Sequence, residues 1–471
     1  MVSELFHKYT PSSALFLSSD MHCKFEDLLE LSQAMQRHKV SGKLVLSLVQ
    51  NKPEALMGYI ALLKSEAVQM LQSEDLSLSA LSNLIYRFKP SFIWLPTERA
   101  SELLSYEKLL EIGAYSLCQN DTNRTKIHPD LALLLSTSGS TGSPKCVRIS
   151  KRNVLENAQA IAKFLRITSN DRPITTLPPS YTYGLSIVHS HLVAGAALIV
   201  SDKTFFDRSF WELFRELEAT SLAGVPYQYE MLKKLKFSQM DLPSLKIITQ
   251  AGGYMDRDLT REFAEICDKK GILFYSMYGQ VEATSRISFL DPMKIRQKAG
   301  SIGRAIPGGK LWLRDETGAI IRGTEEIGEL IYEGPNVCMG YASGHEDLIK
   351  MDLNLGVLAT GDLAKKDEDG DYYIVGRKSR FLKFFGRRVN LQEVEMFLEK
   401  EGYVCGCTGE DDHLQIYVEG VNFDDIAVIK RKVLSFLKLA SKACSVHHIA
   451  HLPRTKSGKI KYSDLSSSEK D

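Results

Sequence analysis

Serine, threonine, glycine and lysine crowd into Ser136-Thr-Ser-Gly-Ser-Thr-Gly-Ser-Pro-Lys145, directly after the apolar run Leu131 to Leu135 and before the short apolar segment Cys146 to Ile149. That order reads as strand, loop, strand. Gly139 and Gly142 permit backbone conformations closed to other residues, so successive N–H groups can face one concavity. Thr137, Ser138, Ser140 and Thr141 add hydroxyl donors, and Lys145 adds a fixed positive charge. Donors and a cation around a hollow suit a polyphosphate, although composition alone also fits a Ser/Gly surface turn. A Walker P-loop fits poorly. It runs Gly-Lys-Ser/Thr straight into a helix, whereas here Pro144 precedes the lysine and a strand-like segment follows.

Further chemistry-bearing segments follow in order: Gln250-Ala-Gly-Gly253 after the strand-like Leu245 to Thr249, then Tyr275-Ser-Met-Tyr-Gly-Gln-Val-Glu-Ala283, Thr360-Gly-Asp362, Gly376-Arg377 and Pro453-Arg-Thr-Lys-Ser-Gly-Lys-Ile460. Together with the hydroxyl-rich loop, this succession resembles the adenylate-forming superfamily of acyl-CoA synthetases, peptide-synthetase adenylation domains and luciferases. The resemblance implies that residues 137 to 142 and Lys145 hold phosphate, that Gly252 and Gly253 let adenine lie against the backbone, and that Tyr278, beside Gly279, offers a ring face to the purine. It makes Glu282 a ligand of the Mg²⁺ that bridges ATP oxygens, a hard-oxygen role. Asp362 would accept hydrogen bonds from the ribose hydroxyls, with Arg377 near the same ribose and phosphate. Lys459 would reach the substrate carboxylate and the α-phosphate.

Where the family has a threonine before the glutamate, this chain has Val281; where it has a hinge aspartate or lysine, Ser379; and where many acyl-CoA and aryl-CoA synthetases have a histidine, Tyr181. The acid pocket is expected from Tyr181, Gly184, Tyr227, Gln228, Gln250 and Met277. Amino-acid-activating members place an aspartate at the position of Gly184, and a buried ammonium without a partner is costly. A carboxylic acid with a neutral tail is therefore expected.

The implied function is an ATP-dependent carboxylic acid ligase that forms acyl-AMP, releases pyrophosphate and passes the acyl group to CoA or to the pantetheine of a carrier protein. Alternatives are a stand-alone amino-acid-activating enzyme that loads a carrier protein in trans, and a non-catalytic adenylate-binding homologue. Luciferase-like oxidation has no mark of its own. Because only nine residues follow Tyr462, the thiol acceptor is expected in trans.

These residues need a scaffold, and the apolar pattern supplies one. Lys43 to Val49, Ala67 to Leu71 and Phe92 to Leu95 read as strands; the segments from Phe25, 53 to 64, 77 to 88 and 151 to 166 read as helices. Such alternation implies an α/β fold whose parallel or mixed sheets are wrapped by helices. A large N-terminal domain, 1–378, is expected to bind ATP and acid, and a small mobile α+β domain, 379–471, to carry Lys459. A net charge of +1 over 471 residues argues against nucleic acid as the main partner. No apolar run approaches a membrane span and no signal-peptide pattern opens the chain, so no membrane insertion and a cytoplasmic location are expected. The eight cysteines include no Cys-x-x-Cys pair and read as buried thiols. His447, His448 and His451 lack nearby acidic or cysteine partners and read as incidental.

Overall fold

Leu44–Val49 is apolar at nearly every position and buried at all of them, the signature of a central strand covered on both faces. In the computed structural model, which describes every residue except 1, 20, 121–124, 137–144, 385–386, 439–442, 455–459 and 466–471, this strand lies inside an eight-stranded sheet. Its side chains alternate as the pleat requires. Val45 and Val49 enter one apolar cluster with Leu133 and Leu135, while Leu44, Leu46 and Leu48 enter another with Met70 and Leu134. Val68–Ser73 and Phe92–Pro96 flank it in parallel, and Leu131–Ser136 pairs in parallel with Val68–Ser73.

The outer pairs are antiparallel. Leu131–Ser136 runs against Cys146–Ser150, because the segment between them is too short for a crossover helix. At the other edge Tyr115–Gln119 pairs antiparallel with Phe92–Pro96 and with Glu107–Ile112, a hairpin that the alternation of strand and helix did not announce. Helix Pro53–Lys64 is buried along Ala55 to Leu63, as a helix laid across the sheet must be. Helix Lys151–Phe164 opens with a reciprocal cap. Ser150 Oγ accepts from Asn153 N at 3.1 Å, and Asn153 Oδ1 accepts from Ser150 N at 2.9 Å.

A second sheet of five strands begins with the parallel trio Ser221–Gly224, Ile247–Gln250 and Leu273–Tyr278, followed by antiparallel Ser288–Phe289 and Arg304–Ala305. The chain divides into two compact units. One gathers the described residues up to Leu311 with Ile331–Leu358; the other gathers Trp312–Leu330 and the chain from Ala359 onward. The division therefore falls earlier than the expected 378/379 boundary.

Within the second unit, Cys405–Glu410, His413–Glu419 and Cys444–Ile449 form a three-stranded sheet, with helices Leu391–Lys400 and Phe423–Leu437. Val394 and Leu398 of the first helix and Ile429 and Val433 of the second share an apolar cluster with Cys405, Cys407 and Ile416. All eight cysteines are free and buried, as their spacing suggested. Among the described residues no helix is long and apolar enough to cross a membrane.

Candidate active site

The trio of parallel strands is in tight register: Gly224 opposes Gln250, and Gln250 opposes Ser276. Their carboxyl ends therefore emerge together, the edge of an α/β sheet where ligands characteristically bind. Two of the chemistry-bearing segments leave from this edge. After Gln250 comes the turn Ala251-Gly252-Gly253, with Gly252 at φ +87, where a Cβ would fall 2.4 Å from the Tyr181 hydroxyl. Only glycine lets this backbone and the tyrosine approach so closely. Gln250 is buried and braces the turn, its Nε2 donating to Gly253 O at 2.9 Å and its Oε1 accepting from Ser276 Oγ at 3.2 Å.

After Tyr278, which is half-buried, the chain turns at Gly279, where a Cβ would lie 1.7 Å from Ser285 O. The turn closes on itself through a short helical piece, Val281–Ala283, and reaches Thr284 at φ +65, a conformation costly for a β-branched residue. Asn336 holds it there. Its Nδ2 donates to Ala283 O at 2.8 Å and Arg286 O at 2.9 Å, its carbonyl accepts from Thr284 Oγ1 at 2.7 Å, and its Oδ1 accepts from the Tyr332 hydroxyl at 2.7 Å. Asn336→Ala leaves these buried carbonyls without a donor and is expected to cost about 2 kcal/mol of stability, read by urea denaturation. An unchanged midpoint would show that the turn holds itself.

Glu282 sits on that turn. Its Oε1 accepts from the Tyr341 hydroxyl at 2.9 Å, its backbone O accepts from Cys338 N at 2.8 Å, and its Oε2 has no partner among the described residues. A half-buried carboxylate oriented at one oxygen and open at the other is a donor set that fits a hard divalent cation. In the second unit, Asp362 and Arg377 are register partners across antiparallel strands, and Arg377 Nε lies 3.3 Å from Asp362 Oδ1. Thr360 Oγ1 receives Asp362 N at 3.1 Å and donates to Leu330 O at 2.8 Å, which fixes the Thr-Gly-Asp turn.

Ser379 lies exposed in the turn Lys378–Arg380. Both neighbours are anchored. Lys378 Nζ is 3.1 Å from Glu329 Oε2, and Arg380 pairs with Glu395. Burial raises the Glu329 carboxyl, but hydrogen bonds from Arg314 and Lys378 outweigh that and hold it below the usual range. The loop residues Thr137, Ser138, Gly139, Ser140, Thr141 and Gly142, and Lys459, lie outside the described residues. Lys145 is exposed just before strand Cys146–Ser150, and Arg454 and Ile460, which flank the lysine-bearing segment, pair in an antiparallel bridge.

Helix Thr182–Ala194 packs beside the parallel trio, and between them lies a pocket lined by Ile161, Tyr183, Ile187, Thr249, Met277 and Arg286 among others. Of the residues expected in the acid pocket, Met277 lines it. Gly184 stands where a Cβ would lie 2.4 Å from Pro178 O and 2.6 Å from Leu177 O, so an aspartate cannot stand there in this backbone. Tyr181 precedes the helix and closes on Gly252. Tyr227 is 52% exposed, and Gln228 turns inward on the backbone, accepting from Val225 N at 2.9 Å; neither these two nor Gln250 lines the cavity. Tyr183 and Arg286 do line it, and the sequence reading missed both. The one available signal for Arg286 was a lone charge in the otherwise uncharged run Ala283-Thr-Ser-Arg-Ile-Ser-Phe-Leu290.

A parallel sheet edge that bears a glycine turn, a tyrosine ring and a poised carboxylate beside an apolar pocket is the arrangement expected of a nucleotide-dependent enzyme. A family model described as AMP-binding enzyme matches residues 25–342, and the chain belongs to that family, within the adenylate-forming superfamily. Among curated relatives, 2-succinylbenzoate–CoA ligase of Bacillus pumilus is 27% identical over 97% of this chain and 96% of its own length. Indoleacetate–CoA ligase of Aromatoleum aromaticum is 29% identical over 63% of this chain, a match that spans only 56% of that enzyme. Among solved structures, O-succinylbenzoate coenzyme A synthetase from Bacillus subtilis in complex with AMP superposes with TM-score 0.78 at 22% identity, covering 100% of this chain and 98% of that one. ATP-bound MatB from Rhodopseudomonas palustris gives TM-score 0.81 at 22% identity, with the same coverage of both chains. At these identities the two structures establish the fold.

Proposed function

We propose that this protein is an ATP-dependent carboxylic acid ligase that activates a small acid as acyl-AMP and transfers the acyl group to a thiol, that of CoA or of a carrier protein's pantetheine. The observation that carries the reading is the shared carboxyl edge of the parallel trio: the Gly252-Gly253 turn, Tyr278-Gly279 and Glu282 leave it or follow from it, beside a cavity with mostly apolar walls. A relative matched over nearly its whole length is named as a CoA ligase, and a similar structure holds ATP and magnesium ion.

Gly252 and Gly253 give adenine a bare backbone to lie on, and Tyr278 gives it a ring face. Asp362, held beside Arg377, receives the ribose hydroxyls as an ionised acceptor. Glu282 would hold Mg²⁺, which would supply positive charge against the ATP phosphates.

A carboxylate oxygen of the acid then attacks the α-phosphorus. The bond from that phosphorus to its bridging oxygen breaks, and pyrophosphate leaves. In the second half-reaction the thiol sulfur attacks the acyl carbon, the carbon–oxygen bond to AMP breaks, and the thiol proton passes to solvent. Two anions must meet in the first step, so positioning and charge neutralisation carry it, with Lys145, Lys459 and the loop N–H groups as the positive side. Val281 leaves the backbone N–H as the one donor that position can offer a phosphate.

The test is incubation with ATP, Mg²⁺ and an acid panel including amino acids, with CoA in one arm and a purified phosphopantetheinylated carrier protein in the other. Acyl thioester in either arm supports the reading and identifies the acceptor. Nucleotide binding without thioester in both arms sinks it.

A further inference from the structure

Arg286 follows Glu282 by four residues and is 3% exposed. Its guanidinium carbon stands 4.6 Å above the ring of Tyr183, and Nη2 reaches Ser186 Oγ at only 3.5 Å. Its Nε is buried without an acceptor, and no carboxylate lies at ion-pair distance from it among the described residues. The Oγ of the adjacent Ser285 is likewise buried without a partner. A buried arginine need not look like this. Arg148, whose Nε is also unpaired, places Nη1 on Lys350 O at 2.5 Å and Nη2 on Met339 O and Met351 O at 2.7 and 2.9 Å.

Removing a guanidinium from water without a counter-charge costs several kcal/mol, so a fold keeps one buried only where something repays it. The Tyr183 ring face repays part of that, but among the described residues no counter-charge near Arg286 repays the rest. Burial holds the tyrosine hydroxyls neutral, with Tyr183 pushed up to about 12. His191 lines the same cavity and is pushed down to about 4 by burial, so it too is neutral at pH 7. The carboxylate that lines this cavity, Asp171, is committed elsewhere. Its Oδ2 accepts from Thr168 N at 2.8 Å and Thr168 Oγ1 at 2.9 Å, and its Oδ1 faces Lys246 Nζ at 3.4 Å. The uncommitted charge on the cavity wall is positive, and it sits among Ile161, Ile187 and Met277.

We propose that Arg286 receives a second carboxylate of the substrate, carried at the end remote from the one that is activated. This deepens the ligase reading and rests on it: the acid is dianionic, with an apolar or aromatic middle that fits the cavity walls. The neutral tail expected from Gly184 gives way, because that glycine excludes a cationic tail but says nothing against an anionic one.

The test uses two matched pairs of acids, hexanoate with adipate and 4-oxo-4-phenylbutyrate with 2-succinylbenzoate. The wild-type chain and Arg286→Met and Arg286→Lys are compared by ATP-dependent pyrophosphate release and by calorimetric binding with a non-hydrolysable ATP analogue. The wild type should favour a diacid over its monoacid by at least ~10-fold, the worth of a charged hydrogen bond in a desolvated site. Arg286→Met should lose that preference, its diacid values falling at least ~10-fold further than its monoacid values, and Arg286→Lys should restore part of it. Without ligand, Arg286→Met should melt no lower than the wild type, since the charge it removes has no counter-charge among the described residues; a large drop would mark a structural arginine and overturn the proposal. Equal loss for monoacids and diacids would place Arg286 on the reacting carboxylate and also overturn it. Pyrophosphate release without a diacid preference overturns the proposal but leaves the ligase reading intact. Diacid binding that needs Arg286, with no pyrophosphate release, upholds the site and removes the ligase reading. Binding of neither diacid overturns the proposal.

Discussion

Lys459→Ala should slow acyl-adenylate formation about a hundredfold, ~3 kcal/mol in the barrier, a loss like that of a single oxyanion donor elsewhere. The physical reason is the meeting of two anions. As the acid's oxygen nears the α-phosphorus, negative charge accumulates, and a lysine in the proposed role, touching both groups only at that moment, would lower the transition state more than the bound substrates. Thioester formation from preformed acyl-adenylate should keep near wild-type speed, because that step breaks no phosphorus–oxygen bond. Single-turnover measurements of the two half-reactions separate them. Equal slowing of both would mean that Lys459 holds the small domain together, and no slowing of either would remove it from the chemistry.

Glu395→Ala is expected to cost ~3–5 kcal/mol of stability in the second unit, the range for stripping the partner from a buried charge. Arg380 and Glu395 are only 17% and 14% exposed, and they meet through two hydrogen bonds of 3.2 and 2.7 Å. Glu395 also accepts from Cys407 N at 2.7 Å and from the Tyr462 hydroxyl at 3.2 Å, while the Arg380 guanidinium stacks 3.7 Å from the Tyr462 ring. One carboxylate thus ties the turn that carries Ser379, the edge strand Cys405–Glu410 and the segment after Lys459 into one cluster. Alanine leaves the arginine, an amide and a hydroxyl without their acceptor. Amide exchange of Cys405–Glu410 under mild urea reads the loss; Arg380→Met added to Glu395→Ala should recover part of it, and a change within ~1 kcal/mol would show the network to be dispensable.

Much of this was legible in advance. Strands and helices followed from apolar periodicity because Leu44–Val49 and Pro53–Lys64 are dense, unbroken runs with turn residues at their ends. The hairpin Glu107–Ile112 to Tyr115–Gln119 was not legible. Its first strand is half polar and lies at the sheet edge, where pairing rather than burial makes the strand. The glycine turns and Glu282 could be singled out because the chemistry proposed for them depends on residue type at fixed local spacing. Pocket walls do not. Tyr227 and Gln228 sit at a helix start, where nothing in the sequence says which side chain faces inward, and Arg286 became visible only once helix Thr182–Ala194 had buried it.

The most direct test is mass-spectrometric detection of acyl-AMP after mixing the protein with ATP, Mg²⁺ and candidate acids in the absence of any thiol. The account predicts an acyl-AMP that forms only with acid present, in step with pyrophosphate, and that disappears in Glu282→Ala. Tight ATP binding with no acyl-AMP from any acid, under conditions where the bound nucleotide stays intact, would contradict it.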